Sequence, residues 1–469
     1  MAVRTQHPAG PAPAPPLRER TGHLLLRAWC VFVVFQALAG TAWTLAFGVA
    51  VSTVIVVATA IVSLIVWLLV RPPVDMRRLP WFVLAYGIWA TASLIWSAWP
   101  ATTGTTLALW LITTGQGLFV AAMLTWREIV AAVSAALKWT LGLSLAFELV
   151  VSLLVRRPLL PGWVLPERGV KYDPIVYWSR NNLFDLDGRI QGIQGNANLL
   201  AVIALLGLIV FCIRWAAHAE RRASAIVWIA IAALLFVHAG SATAYLSAAA
   251  VLVVLVTVLL MRTITKPGGR TVYYAAYAVV ALAGAAVLFF ARDTLFAALG
   301  RSADLTGREG IWEQVLARAV EHPVIGWGFA SPWLPWDSHF DGWIVDHGET
   351  VMQAHNMWID VFLQLGVIGV LLMAGVYATF IWRAWFFAID RPRWDLRDDR
   401  PYSPLTLLPT LVATVLLVQG LAESGPLVVW GWMLIVLLGL KVRQSPLLGV
   451  GPAETSWRIE RGDPVSDQG

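Results

Sequence analysis

The sequence predicts an all-α polytopic membrane protein of about 12 transmembrane helices with both termini cytoplasmic, and three observations lead there. Hydrophobic residues make up 58% of the 469 and mean hydropathy is +0.70. Only 13% are charged, about half the share usual in a soluble domain. The apolar residues come in runs near the ~20-residue length that crosses a hydrocarbon core as a helix. Finally, the short loops on one side are basic, as with Arg77, Arg78, Arg221 and Arg222, while the short loops on the other side carry no Lys or Arg. That bias sets orientation, so the net charge of +6 and pI near 9.5 are read as topology rather than as affinity for nucleic acid.

Taken in order, residues 1–22 are Pro- and Ala-rich, cannot build a core, and are expected to be a disordered cytoplasmic tail. Residues 23–443 form the transmembrane domain and 444–469 a second disordered tail. Spans are expected near 24–40, 46–70, 80–98, 104–124, 128–155, 198–214, 225–239, 242–261, 272–291, 356–382, 404–421 and 426–441. Ala37-Leu38-Ala39 mimics a signal-peptidase site, yet Arg27 interrupts the apolar run and another span follows at once, so the first span is read as a retained anchor. Two long segments, about 156–197 and 292–355, lie on the outer side. No repeat of 20–50 residues is visible.

The outer segment between spans 9 and 10 is expected to hold short helices. Thr306-Gly-Arg-Glu309 has capping-box spacing, Ile311, Trp312, Val315, Leu316 and Ala319 share one helical face, and Pro323 stops the helix. Arg308 then stands in the first turn beside free backbone amides that attract anions. Its bland role is an ion pair with Glu309 or Glu313. Arg301 is a weaker candidate outside the capped turn. Arg189 sits among Gly188, Gly192 and Gly195, where backbone can approach a ligand closely, with Asn196 or Asn198 as cap of the next span. A planar guanidinium there suits a phosphate, or more blandly a lipid headgroup. His355, followed by Asn356 at the mouth of a span, is placed to act as a general base. Gly366 and Gly369 beyond it are read as aids to close helix packing.

Other groupings carry less. His339, His347 and His355 with Asp341, Asp346 and Glu349 lack metal-ligand spacing, so no metal site is expected. Cys30 and Cys212 lie in apolar runs without Cys-x-x-Cys spacing. Ser97, Ser241 and Ser331 sit in no nucleophile-elbow pattern, and no Walker or Rossmann motif is present. Arg27, Lys138 and Glu148 inside spans are read as structural.

Leu94-Ile-Trp-Ser97 with Pro100, Gly188-Arg189 through Asn198, Thr306-Gly-Arg308 with Ile311-Trp312, Pro323-Val-Ile-Gly-Trp-Gly328, and Glu423-Ser424 occur in that order around one further pattern. This is Ala354-His355-Asn356, then nine residues, then Gly366-x-x-Gly369. Over about 90–440 the chain resembles the bacterial O-antigen ligase superfamily. The resemblance implies a metal-independent, cofactor-free glycosyltransferase in the bacterial plasma membrane. Such an enzyme takes a glycan from an undecaprenyl-diphosphate lipid on the outer face and passes it, with inversion, to a lipid, glycan or protein hydroxyl. It further implies that Arg189 and Arg308 hold the donor diphosphate and His355 activates the acceptor, with Asn356, Asn198, Gln191 and Arg301 in support. Val370-Leu371 stands where polymerases of the superfamily often carry Thr-Arg, which favours a ligase over the alternative polymerase. A lipid-linked glycan flippase or transporter is the reading from another class, and it would need broken helices or repeated halves around a midplane site.

Overall fold

The computed structural model describes residues 17–72, 74–165, 172–174, 176–185, 187–264, 268–279, 282–283, 308–346, 348–390 and 402–444. Arg301, Thr306, His347, the basic stretch 391–400 and most of both expected tails lie outside the described residues. Twelve helices organise the rest: α1 Leu17–Leu38, α2 Gly40–Val70, α3 Trp81–Ala92, α4 Pro100–Met123, α5 Trp126–Val150, α6 Ala197–Ala216, α7 Arg222–Ala239, α8 Ala242–Thr263, α9 Arg308–Ala319, α10 Met357–Ile389, α11 Leu408–Gly420 and α12 Val429–Gln444. A further helical stretch covers 270–279, the described part of the span expected near 272–291.

Among the described residues, seven helices are long and apolar enough to cross a membrane: α2, α4, α5 with its π-helical extension to Val155, α6, α7, α8 and α10. The apolar helices at α1, α3 and α11 are shorter. At α3 and α11 the expected spans are completed by 3-10 turns, Ser93–Ile95 and Pro404–Leu407, where the chain leaves the α-helical path. Two boundaries differ from expectation. The helix already begins at Leu17, inside the expected tail, and the expected loop between the first two spans is helical: α1 and α2 meet at Ala39, and α2 is kinked at Gly48. Gly48 has φ 80°, a conformation cheap only for glycine.

Helix starts follow local capping chemistry. Thr125 and Glu128 form a reciprocal capping box on α5, Asn196 caps α6, Ser241 caps α8 and Asn356 caps α10. α4 and α6 bury 67% of their most apolar stretch and form the centre, whereas α2 buries 11% and turns Val54, Ile61, Leu64 and Leu68 outward at the rim. The closest helix pairs are α6 with α7, α4 with α12, α1 with α5, α8 with α11 and α3 with α10. Two charged side chains within the bundle find their partners in different ways. Lys138 bonds Glu220, and Glu148 is wholly buried as an acceptor for the loop before α6.

A second, smaller core lies at one end of the bundle. Ile311, Val315 and Ala319 of α9 pack with Trp99, Trp333, Phe340, Ile344, Val351 and Leu363. Leu316, expected on the same face, is instead 38% exposed. A two-stranded antiparallel hairpin, Val345–Asp346 with Glu349–Thr350, completes this cap.

Candidate active site

Three separate stretches meet where α10 begins. Asn356 turns its side-chain oxygen on the amides of Trp358 and Ile359, and its amide nitrogen on the Leu421 carbonyl after α11. Asp360, one turn into α10 and 2% exposed, accepts from the Ala354 amide at 3.1 Å and from the Ser424 hydroxyl. Trp312 of α9 donates to the Ala354 carbonyl at 2.9 Å. One buried carboxylate therefore pins both the residue before His355 and the residue after Glu423. His355 itself has φ 49°, a left-handed conformation costing a non-glycine residue about 1–2 kcal/mol, which the surrounding bonds enforce.

Glu423 is the centre of the resulting polar cluster. Its Oε1 accepts from Arg308 Nη2 at 2.6 Å and from Asn198 Nδ2 at 3.2 Å. Its Oε2 accepts from His355 Nδ1 at 3.1 Å and from Gln353 Nε2 at 3.4 Å. Asn198 relays the contact onward, because its Oδ1 accepts from Arg189 Nη2 at 2.6 Å. Since an ionised carboxylate only accepts, the His355 proton belongs on Nδ1 and Nε2 is left as the basic nitrogen. The side chains are 13% (Glu423), 16% (Arg308) and 29% (His355) exposed, so the imidazole is the member most open to an incoming molecule.

Arg189 is built into the site from beneath. The amides of Gln191 and Gly192 donate to Glu148 Oε1 at 3.1 and 2.7 Å, and Gly192, at φ 57°, lies so close to Ser144 that a side chain would not fit. This holds the turn that presents Arg189, whose Nε donates to the Ala239 carbonyl at 2.7 Å at the end of α7. Burial, with the Arg180 guanidinium as a further influence, pushes the Arg189 pKa below the ordinary arginine value. A cation penalised in this way is relieved by an arriving anion.

Gly366 does more than allow packing. At φ 63° and ψ −165° it breaks α10, and a Cβ there would overlap the Val324 carbonyl. The loop Pro323–Gly328 enters the break: Trp327 N donates to Leu363 O at 3.0 Å and Gly328 N to Gln364 O at 2.8 Å, while Val367 N reaches Pro323 O at 2.8 Å. Backbone groups freed in an apolar surrounding are thus satisfied by this loop rather than left for a ligand. Trp89, Trp96 and Trp99 tie the same region to α3 and α4 through indole bonds to Leu365, Ile325 and Gly328 carbonyls.

Of the residues expected to form the site, His355, Arg308, Arg189 and Asn198 come together. Asn356 supports them as the cap of α10, while Asn196, not Asn198, caps α6. Gln191 faces away: it is 3% exposed, and its side-chain nitrogen donates to the Gly195 carbonyl. Arg301 lies outside the described residues. Arg308 pairs with Glu423 rather than with Glu309 or Glu313. His339 bonds Asp337 at 2.8 Å, apart from His355, and among the described residues no group of three His, Cys, Asp or Glu is gathered as a metal site would need. Glu423 is the member whose part the sequence reasoning missed. The available signal was its position as the one charged residue in the short outer connections.

Residues 225–374 match the family described as O-antigen ligase. That segment contains Arg308, His355, Asn356 and the break at Gly366, while Arg189, Asn198 and Glu423 lie outside it. The exopolysaccharide production protein ExoQ of Rhizobium meliloti (strain 1021) is 27% identical over 205 residues, 41% of this chain and 43% of the relative. The chain therefore matches less than half of that relative's length.

Proposed function

We propose that the chain is a membrane glycosyltransferase of the O-antigen ligase and polymerase kind, moving a glycan from a polyprenyl-diphosphate lipid to an acceptor hydroxyl, a reading supported by the 225–374 match and by this relative. The site lies on the outer face of the bacterial plasma membrane, with both termini inside. The observation that carries this reading is one polar cluster at one end of an apolar bundle, in which Arg308 and His355, its Nε2 open, meet on the Glu423 carboxylate and Arg189 joins through Asn198.

In this mechanism Arg308 and Arg189 hold the diphosphate, and His355 Nε2 removes the acceptor's hydroxyl proton. The acceptor oxygen bonds to the anomeric carbon as the bond from that carbon to the phosphate oxygen breaks, and its electron pair leaves with the lipid diphosphate. Charge stabilisation on the departing diphosphate, one base and positioning supply the catalysis, and the sugar inverts. Transfer by a ligase is the preferred reading. A polymerase has one observation behind it, the relative's description as an exopolysaccharide production protein. Graded product lengths distinguish a polymerase from the single product size of a ligase. A transporter is disfavoured because the helix break at Gly366 is filled by Pro323–Gly328.

The test uses purified full-length chain in lipid and measures glycan transfer together with release of free polyprenyl diphosphate. His355→Ala and His355→Gln should each lower the rate by about 10²- to 10⁴-fold, the usual contribution of a general base. Wild-type transfer by the Gln variant would remove His355 as the base.

A further inference from the structure

We propose that Glu423 is a placeholder for the donor's diphosphate: in the empty protein its carboxylate occupies Arg308 and Asn198, and it yields both when a diphosphate arrives while remaining on His355. The inference rests on the donor reading above and adds to it an exchange at Arg308.

The division of the carboxylate is the starting point. One oxygen serves Arg308 and Asn198, at 2.6 and 3.2 Å, and the other serves His355 and Gln353, at 3.1 and 3.4 Å. Arg308 has five N–H donors, yet among the described residues its guanidinium bonds to Glu423 Oε1 alone. A diphosphate offers several oxygens and two negative charges, a better match for a forked cation than one carboxylate oxygen. Glu423 left in place would lie against that dianion, and like charges at contact distance in a partly buried site repel strongly. Donor and Glu423 Oε1 therefore compete for the same guanidinium.

The backbone around Glu423 is fixed, so the exchange is a rotation of one side chain. Glu423 N donates to Gln419 O at 2.7 Å, and the neighbouring Ser424 hydroxyl is held by Asp360. Asn198 can release Glu423 and still keep its oxygen on Arg189, leaving its amide nitrogen for the ligand. With Arg308 taken by the diphosphate, the carboxylate charge bears on the imidazole without being shared. Glu423 then keeps the His355 proton on Nδ1 and stabilises the imidazolium formed as Nε2 takes the acceptor proton. Donor binding prepares the base, which orders the reaction as donor first and acceptor second. Glu423 is thus a positioning residue acting through Arg308 and His355.

The experiment measures binding of farnesyl diphosphate, with uncharged farnesol as control, to full-length protein in lipid nanodiscs, alongside kcat and KM for lipid-linked donor. Glu423→Gln removes the competing charge and should bind farnesyl diphosphate about tenfold more tightly than wild type, the scale of one unfavourable like-charge contact relieved. Farnesol binding should not change. The same variant should lower both kcat and KM, a split that a brace lost from the fold would not give. Arg308→Ala should weaken farnesyl diphosphate binding in either background. Equal or weaker binding by Glu423→Gln, with Arg308→Ala still impaired, overturns the exchange and leaves the donor site standing. If wild type and Glu423→Gln bind no more tightly than Arg308→Ala, the donor site itself fails and the exchange falls with it. Should Glu423→Gln not fold, Glu423→Asp keeps the charge but is a methylene too short to hold both partners. Tighter probe binding by that variant supports the exchange, and unchanged or weaker binding overturns it.

Discussion

Arg308 and Arg318 stand at opposite ends of the same 12-residue helix, α9, and are held in opposite ways. Arg308 is held by charge, through one bond of 2.6 Å to Glu423. Arg318 is held by aromatic faces, with Trp99, Trp327 and Trp343 lying 5.1, 5.3 and 4.7 Å from its guanidinium. Burial pushes the Arg318 pKa below the ordinary value, and its remaining contacts are fixed: Nη1 donates to His339 O, and Trp327 donates to the Arg318 carbonyl. A cation wrapped in ring faces belongs to the architecture of the cap, whereas a cation on one exchangeable carboxylate is available to a ligand. The difference teaches that a buried arginine becomes a candidate for binding by what it would have to give up.

The largest expected effect tests that contrast directly. Arg308→Lys should lower transfer by about 10²- to 10³-fold, the scale of losing one donor to developing charge, with the thermal midpoint nearly unchanged. Arg318→Lys should do the reverse, lowering the unfolding midpoint through about 1–2 kcal/mol of lost cation–π contact while the rate per folded molecule holds. Transfer assays and thermal unfolding on the same preparations check both. Equal behaviour of the two variants would collapse the distinction.

Much of this was legible in the sequence, and unevenly. Runs of apolar residues place helices because hydrophobicity along a span is a local property, and Asn196 could be named as a candidate cap of α6 because capping chemistry is local too. Arg189, Arg308 and His355 were legible as polar residues at the edges of apolar runs. The role of Glu423 was not, because its partners are 68 and 115 residues away and their meeting depends on how α9, α10 and α11 pack. Gly366 misled for a related reason. Gly-x-x-Gly reads as a packing face until the loop from Pro323 is known to enter the helix there.

Glycine replacements sharpen the comparison at the scale of the cap. Gly366→Ala combines a positive φ with overlap against Val324, so it should cost roughly 2–4 kcal/mol and loosen Pro323–Gly328. Gly310→Ala, on α9 between the two arginines with nothing within 4 Å of the added carbon, should stabilise by about 0.5–1 kcal/mol. Hydrogen exchange over residues 323–328 distinguishes the two. An unprotected loop in wild type, or a Gly366→Ala protein as stable as wild type, would mean that the loop does not seal the break.

The smallest effect concerns the carboxylate on the Arg318 side. Burial alone would push the Asp337 pKa up, but hydrogen bonds from Thr102 Oγ1, at 2.6 Å, and from the His339 amide and ring hold it below the ordinary carboxylate value. A folded-state value below the unfolded one means that the ionised form favours the fold. The contribution is therefore fully present above pH ~4, near the unfolded aspartate value, and is lost as pH falls through the lower folded value. Being near solvent, the site should be worth at most about 1 kcal/mol. Tryptophan fluorescence of the cap during thermal unfolding should give a midpoint that falls below pH ~4 in wild type but changes less in Asp337→Asn, which starts lower at pH 7. Parallel pH curves for the two proteins would show that Asp337 does not brace the cap, and the fall would then belong to other carboxylates.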